Sequence, residues 1–268
     1  MRPGTSCSRR ACWRRDRTQP IIRFEGVSKA FGTQTVLRDF SLDVEPGAFV
    51  SIIGRSGCGK TTVLKLVNGL LSPDTGRVLI QGQDVARIDP VALRRRIGYA
   101  IQNVGLFPHM TVEKNIAYVP AISGLKEWKG KQCREKVAAL LKQVGLDPAL
   151  AGRYPRALSG GQRQRVGIAR ALAAGPELLL MDEPFGAVDE ITRGQLQDEL
   201  LRIHRESGIT VLFVTHDIAE ALKLGTRTLV MDAGQIQQYD APSRLLAHPA
   251  TSFVERLVRR SRVFQTRA

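Results

Sequence analysis

A glycine-rich segment at 54–62, with the sequence GRSGCGKTT, has the residue types and spacing that bind phosphate groups. Its residues are Gly54, Arg55, Ser56, Gly57, Cys58, Gly59, Lys60, Thr61 and Thr62. The glycines let the backbone fold closely around a phosphate, so that successive N–H groups point inward. A helix that begins near Lys60 adds its positive end. The pattern therefore predicts a nucleotide site in which Lys60 reaches the β- and γ-phosphates and the Thr61 hydroxyl ligates Mg²⁺.

A pair of acidic residues ends a second informative segment, LLLMDE at 178–183. Its apolar run is typical of a buried parallel strand, and we expect it to place Asp182 beside the glycine-rich segment. Asp182 would then hold Mg²⁺, directly or through water, while Glu183 polarises the attacking water, because phosphoryl transfer depends on positioning and charge neutralisation. An acidic pair at a strand end is otherwise often a solvated turn. Only the presence of the glycine-rich segment at 54–62, called the phosphate loop below, favours the catalytic interpretation.

A second anion cradle is predicted by LSGGQ at 158–162. Its hydroxyl and backbone N–H groups can cap a helix and face an anion. The residues concerned are Ser159, Gly160, Gly161 and Gln162. One chain needs only one cradle for one ATP, so a second cradle implies a second subunit arranged head to tail. The alternative for this segment alone is an ordinary helix N-cap.

Together these segments resemble the nucleotide-binding subunit of an ATP-binding cassette (ABC) transporter, over about residues 21–260. The resemblance implies that Gln102 links the γ-phosphate and Mg²⁺ to the permease contact, and that His216 contacts the γ-phosphate, so that both join Glu183 as catalytic residues. It also implies that Asp189 reaches across a dimer, although GAVD stands where SALD is commoner. Phe31 matches the aromatic that stacks on adenine, with core packing as its alternative. A histidine after a strand is otherwise often structural.

A narrower resemblance concerns the segments at 93–120 and 181–193, which are similar to those of osmoprotectant importers. The solutes of that group are glycine betaine, carnitine, choline and related quaternary amines. Within the first segment, LFPHMTV is expected near the groove where a permease docks. Two alternatives stay open: import of another small solute such as an amino acid, and a non-transport ABC ATPase acting on nucleic acid or ribosomes.

The resemblance also implies a set of partners and a location. The expected partners are a second copy of the chain or a paralogous ATPase subunit, transmembrane permease subunits and, indirectly, an extracytoplasmic solute-binding protein. ATP and Mg²⁺ are the implied cofactors, and no nucleic acid is expected. The chain would lie peripherally on the cytoplasmic face of the cell membrane.

Charge does not by itself select a partner. The 268 residues include 40 Lys and Arg against 25 Asp and Glu, a formal net charge of +15. Residues 1–20 hold six Arg and one acidic residue, Asp16, and the remaining excess is spread along the chain. ATP and an anionic membrane surface account for such an excess as well as DNA does. Since no apolar run approaches the ~18–20 residues that span a bilayer, a channel would belong to another polypeptide.

The four cysteines form no metal-ligand spacing and no plausible disulfide framework. They are Cys7, Cys12, Cys58 and Cys133. We expect reduced thiols. Cys58 lies within the glycine-rich segment at 54–62, where the favoured interpretation is that it is simply a small residue; the alternative is that its alkylation blocks nucleotide binding.

The distribution of apolar residues predicts an α/β fold. Short strand-like runs fill 21–54, and after the phosphate loop Val63, Leu66, Val67 and Leu70 recur at helical spacing. The stretch at about 105–170 is predicted to be helical. Further strands follow at 178–181 and 209–215, with a helix between them, and a hairpin is expected around 233–234. The helix between those strands carries four apolar residues, Ile191, Leu196, Leu200 and Ile203.

These elements predict a P-loop NTPase core of the ABC type, with an N-terminal antiparallel β-subdomain and a helical insert. Residues 1–20 are expected to be a disordered basic extension. Residues 21–240 would form the nucleotide-binding domain, with the insert at about 105–170. Residues 241–268 would be a helical tail without a regulatory domain, and this tail contains a basic amphipathic helix.

Overall fold

A computed structural model of the chain describes residues 19–102 and 104–265, the last six of these as backbone alone. Most of the predicted extension at 1–20 therefore lies outside the described residues. The strands are β1 (Ile22–Phe31), β2 (Gln34–Val44), β3 (Phe49–Gly54), β4 (Thr75–Ile80), β5 (Gln83–Asp84), β6 (Ile97–Ala100), β7 (Leu178–Asp182), β8 (Thr210–Val214), β9 (Arg227–Asp232) and β10 (Gln235–Asp240). The α-helices are α1 (Lys60–Val67), α2 (Pro90–Arg96), α3 (Val112–Ile122), α4 (Gly130–Gln143), α5 (Gly160–Leu172), α6 (Glu190–Ser207), α7 (Ile218–Leu224), α8 (Pro242–Ala247) and α9 (Ser252–Gln265).

The central sheet has the strand order β10-β9-β3-β8-β7-β6. Its strands from β9 to β6 run parallel, and β10 pairs antiparallel with β9. Every residue of β7 and β8 is buried, which explains why both strands are continuous apolar runs rather than alternating ones.

The strand order brings the predicted functional segments to one edge of this sheet. The phosphate loop follows β3, the acidic pair ends β7, His216 follows β8, and Gln102 follows β6. Because β3, β8, β7 and β6 are parallel neighbours, these four segments emerge side by side. Ligands of open parallel sheets bind at this carboxyl edge.

The antiparallel subdomain is a second sheet, with the order β2-β1-β4-β5. Its inner face contributes Phe24 and Phe40, whose rings meet edge to face with centroids 5.1 Å apart. Leu37 of this sheet belongs to the same buried cluster as Val63 of α1 and Leu212 of β8. The shared core joins this sheet to the base of the phosphate loop.

The helical insert lies between β6 and β7 and contains α3, α4 and α5. Val137 and Leu141 of α4 and Val166 of α5 are buried in one cluster that also includes Leu179 and Met181 of β7. The predicted fold class, with its β-subdomain and helical insert, is confirmed.

The helix after the phosphate loop is shorter than its apolar spacing predicts. It ends at Val67, and Leu70, which the spacing places on the buried face, is 49% exposed. Gly69 adopts φ +64°, a left-handed conformation that ends the helical run. The apolar spacing extends beyond the glycine at which the helix ends, so the prediction that Leu70 lies on the buried face of this helix was wrong.

The apolar spacing of α6 is only partly reflected in burial. Leu196 and Leu200 are buried, whereas Ile191 in the first turn is 79% exposed. The hairpin predicted around 233–234 is present between β9 and β10, and both turn residues have positive φ, as a two-residue hairpin turn requires. Among the described residues, no helix combines the length and the apolar character that crossing a bilayer requires.

Candidate functional site

The phosphate loop curls around the amine of Lys60. Its Nζ donates to the carbonyl oxygens of Gly54, at 2.8 Å, and Arg55, at 2.9 Å, and the residue is only 8% exposed. A Cβ on Gly54 would overlap the carbonyl oxygen of Met231, and one on Gly59 would lie 3.0 Å from that of Val36. The close approach of these backbones explains why glycine occupies both positions.

The start of α1 is open to an anion. Gly59 is its N-cap and provides no side-chain cap for the helix. The N–H groups of the first turn and the positive end of the helix are available at the loop, which is the arrangement that binds phosphate. Beside it, Cys58 is buried, and burial raises the pKa of its thiol, so this cysteine stays neutral at pH 7.

Thr61 and Asp182 form the centre that suits a divalent cation. The Thr61 hydroxyl donates to Oδ1 of Asp182 at 3.2 Å, across the gap between α1 and β7. Burial raises the pKa of Asp182, and the hydrogen bond from Thr61 opposes that shift. A hydroxyl and a single carboxylate fit Mg²⁺, which takes few protein oxygens and completes its shell with phosphate oxygens and water. Among the described residues, no group of three or more His, Cys, Asp or Glu side chains could hold a metal.

Glu183 stands at the centre of a polar triangle. Its Oε2 accepts a hydrogen bond from the side-chain amide of Gln102 at 2.9 Å and lies 3.5 Å from Nδ1 of His216. The His216 side chain is 71% exposed and that of Glu183 is 25% exposed, so the triangle opens to solvent on the histidine side. The structure therefore brings together the three residues that the sequence predicts to be catalytic.

The segment at 159–162 begins α5 with a complete capping box. The Ser159 hydroxyl accepts from the Gln162 backbone N–H at 3.2 Å, and Oε1 of Gln162 accepts from the Ser159 N–H at 2.9 Å. Within the described residues, no hydrogen bond or ion pair joins this segment to the phosphate loop at 54–62. In one chain the two predicted anion cradles are thus separate structures.

Two further predicted residues lie at the margins of the site. Asp189 caps α6 by accepting from the Thr192 N–H at 3.0 Å, a bond that lowers the pKa of its carboxyl group. Phe31 ends β1, is 48% exposed as a residue, and has the Lys29 ammonium 5.8 Å from its ring centroid. This exposure disfavours the core-packing alternative for Phe31. The neighbouring turn borders a cavity of about 420 Å³ that also includes Gly57.

Two residues with contacts to the site were missed by the sequence reasoning. Gln164 is 4% exposed and bonds to the turn that follows β7, and Glu220 is 7% exposed and bonds to the Thr215 hydroxyl just before His216. Gln164 lies just after the segment at 159–162, and Glu220 lies four residues after His216. This proximity in sequence was the one signal that could have identified them as residues near the site. A larger cavity of about 530 Å³, beside Glu177 and Thr210, lies at the opposite edge of the sheet and includes none of the predicted site residues.

Comparison with known proteins yields one family. Residues 37–186 match the ABC transporter family. The glycine betaine/carnitine/choline transport ATP-binding protein OpuCA of Bacillus subtilis (strain 168) is 46% identical over 248 residues, which are 92% of this chain and 64% of that protein. The glycine betaine uptake system ATP-binding protein YehX of Escherichia coli (strain K12) is 47% identical over 241 residues, 90% of this chain and 77% of that protein.

A solved ATP-binding cassette has the same fold. Its dimeric structure, in a post-hydrolysis state bound to ADP and Pi, superposes with a TM-score of 0.77 at 33% identity and covers 82% of this chain and 98% of that chain. This chain spans just under two thirds of the length of the Bacillus relative. The matched residues include the phosphate loop, the segment at 159–162 and the acidic pair. The chain belongs to the ABC transporter family of ATP-binding proteins.

Proposed function

We propose that the chain is the ATP-hydrolysing subunit of an ABC importer that energises uptake of an osmoprotectant through a separate permease. The proposed ATP hydrolysis is supported by the position of the Glu183 carboxylate. It accepts a hydrogen bond from Gln102 and lies 3.5 Å from His216, at the same carboxyl edge of the central sheet as the phosphate loop. The names of the relatives support the solute class, which is glycine betaine, carnitine or choline.

One half of each nucleotide site comes from the chain that supplies the phosphate loop. Lys60, now bonded to two loop carbonyls, exchanges them for phosphate oxygens of ATP. Thr61 and Asp182 hold Mg²⁺, with Gln102 beside them. Mg²⁺ bound there supplies charge neutralisation for the β- and γ-phosphates. Glu183 accepts the proton of the attacking water, and His216 orients the γ-phosphate.

The other half comes from a second chain. Among the residues that the structure describes, no bond joins the segment at 159–162 to the phosphate loop of its own chain. Because the N-terminus of its helix suits an anion, we infer that the segment binds the ATP held by a partner copy or a paralogue. Asp189 lies at the exposed start of α6 and faces the same interface. The exposed ring of Phe31 stacks on adenine, beside the cavity that borders Gly57.

The permease would contact the LFPHMTV segment, residues 106–112. Buried Asn115 orders this segment, because its side chain accepts from the N–H of Phe107 at 2.8 Å and donates to the carbonyl oxygens of Phe107 and Met110. An ordered loop that follows Gln102 in the sequence is a suitable contact for a permease element. Movement of that element would then be transmitted to the polar triangle of Glu183, Gln102 and His216. The chain would act at the cytoplasmic face of the membrane, with a solute-binding protein as an indirect partner.

The test is uptake of labelled glycine betaine, carnitine and choline by cells in which the gene is deleted and then restored. The wild-type chain and a Lys142→Ala control, altered at an exposed lysine of α4, should both restore uptake at high osmolarity. Lys60→Ala should restore none. Uptake of these three solutes that does not depend on the gene, together with gene-dependent uptake of an amino acid, would overturn the solute assignment.

A further inference from the structure

Gln164 uses both ends of its side-chain amide to bridge one turn. Its Nε2 donates to the carbonyl oxygen of Glu183 at 3.1 Å, and its Oε1 accepts from the N–H of Ala187 at 2.8 Å. Since the residue is 4% exposed, water cannot readily replace either bond. Gln164 therefore clamps the segment 183–187, which we name the catalytic turn, to helix α5.

The catalytic turn holds Glu183 in a backbone conformation that glycine usually occupies. Its φ is +46°, and a non-glycine residue persists there only when its surroundings over-determine it. The N–H of Glu183 donates to the Val214 carbonyl at 2.9 Å, and its own carbonyl accepts from Gly186 at 3.3 Å and from Gln164. The bond from Gln164 is the one that comes from outside the turn and the sheet, so helix α5 helps to set the direction of the Glu183 carboxylate.

The same helix begins with the segment at 159–162. Its first turn lies against the catalytic turn, since a Cβ on Gly161 would stand 3.1 Å from the carbonyl oxygen of Ala187. A shift of the helix N-terminus is thus transmitted to the catalytic turn through a packed backbone contact and through the Gln164 bridge. Gln164 lies little more than one helical turn from that N-terminus.

We propose that Gln164 is the positioning residue that couples the two ATP sites of the dimer. In the proposed dimer, on which this inference rests, the 159–162 segment of one chain touches the ATP bound by its partner, whereas Glu183 of that same chain acts on its own ATP. Helix α5 connects the two, and Gln164 is its hydrogen-bonded link. Occupancy of one site therefore aligns the catalytic glutamate of the other.

Mixed dimers test this coupling. A dimer of one Lys60→Ala chain and one wild-type chain keeps a single competent site, and its turnover per competent site should fall about tenfold below that of the wild-type dimer, because Glu183 is misaligned. When Gln164→Leu is introduced into every competent chain, one in the one-site dimer and both in the two-site dimer, turnover per site should be low and equal in the two dimers. Monomer affinity for ATP should stay within about twofold of wild type, since Gln164 does not contact the phosphate loop.

Gln238 offers a matched control. It is also a buried glutamine that bridges a carbonyl and an N–H, those of His248 and Ala250, in the C-terminal part of the fold. Gln238→Leu should lower the unfolding midpoint in the same way and leave the ratio between one-site and two-site turnover at its wild-type value. Gln164→Glu, which keeps the acceptor for Ala187 and loses the donor to Glu183, provides a second variant if Gln164→Leu does not fold.

The outcomes separate the two proposals. If the wild-type chain neither dimerises with ATP nor hydrolyses it, the proposed function fails. If it does both, and the folded Gln164 variants keep the wild-type dependence of one site on the other, only the coupling role of Gln164 is wrong. Equal turnover per site in one-site and two-site dimers of otherwise wild-type chains would overturn that role as well.

Discussion

The side-chain amide of Gln102 donates to Oε2 of Glu183 at 2.9 Å, although the two residues lie 81 positions apart in the sequence. Each follows the carboxyl end of a strand, β6 for Gln102 and β7 for Glu183, and these strands are parallel neighbours. The bond joins the loop nearest the proposed permease contact to the carboxylate that would activate water. A movement of that loop would therefore change the surroundings of the Glu183 carboxylate directly.

Replacing Gln102 should reduce turnover more than nucleotide binding. In Gln102→Ala the Glu183 carboxylate loses its amide donor, and we expect kcat to fall by about tenfold or more while KM for ATP changes little. Gln143→Ala, at a half-buried glutamine of α4, is the control and should keep wild-type kinetics. Steady-state hydrolysis assays measure both constants, and an unchanged kcat for Gln102→Ala would remove this residue from the catalytic group.

Phe31 should contribute to nucleotide affinity through its ring face. Stacking of a base on an aromatic side chain contributes about 1–3 kcal/mol, so Phe31→Ala should weaken ATP binding by about fivefold to a hundredfold. Phe31→Tyr retains the ring and should bind as the wild type does. Equilibrium titration with a fluorescent ATP analogue measures the affinity, and equal affinity for all three proteins would refute the stacking role.

Gly54 should not tolerate a side chain. Its φ is +155°, and a Cβ would overlap the carbonyl oxygen of Met231 on the neighbouring strand, so Gly54→Ala should lower the free energy of unfolding by about 1–3 kcal/mol. Gly194 in α6 is the matched control: a Cβ there meets no atom within 4 Å, and Gly194→Ala should stabilise the helix by about 0.5–1 kcal/mol. Urea unfolding measures both changes, and a Gly54→Ala protein as stable as the wild type would contradict the packing described here.

Glu220 is a buried carboxylate behind the His216 turn. It accepts hydrogen bonds from the Thr215 hydroxyl at 2.7 Å and from the Gln197 amide at 3.4 Å, and Nε of Arg193 lies 3.8 Å away. Burial raises the pKa of Glu220 above its ordinary value of 4.5, and the Thr215 hydrogen bond opposes the shift. The folded protein therefore binds this proton more tightly than the unfolded chain does.

Stability should respond to pH accordingly. Because the pKa is raised on folding, the contribution of Glu220 to stability is fully present below 4.5 and is lost as the pH rises through the folded pKa. Glu220→Gln cannot lose a proton, so the free energy of unfolding of the wild type, relative to this variant, should decrease as the pH rises from 4.5 and then become constant. Urea unfolding at a series of pH values measures the difference, and a difference that does not vary with pH would contradict the burial argument.

The proximity of the site residues could be predicted where a sequence motif directly follows a strand of the parallel sheet. Lys60, Asp182 and His216 each follow a short apolar run, and the carboxyl ends of parallel strands meet at one edge, so their proximity follows from the pattern of the chain. The hairpin at 233–234 was predictable for a similar reason, since its turn chemistry is local. The roles of these residues, like those assigned to the second chain, stay predictions from the same motifs.

The parts that were missed depend on contacts between distant segments. Strand β6 has four residues, follows an arginine run and contains Gly98, where a Cβ would overlap the carbonyl oxygen of Ala171. Close packing against α5, rather than strand propensity, therefore explains its composition. Gln164 was missed for a related reason, because its partners lie on the catalytic turn and are known only once α5 is docked there.

The central claim, that one ATP is held by two chains, is tested most directly by the mass of the nucleotide-bound state. Glu183→Gln should bind ATP with Mg²⁺ without hydrolysing it, so the closed assembly accumulates. Size-exclusion chromatography with light scattering should then give the mass of two chains in the presence of ATP and Mg²⁺. A double variant that carries both Glu183→Gln and Lys60→Ala should give the mass of one chain under the same conditions. A Glu183→Gln protein that binds ATP and keeps the mass of a single chain, even with its permease supplied, would contradict the account.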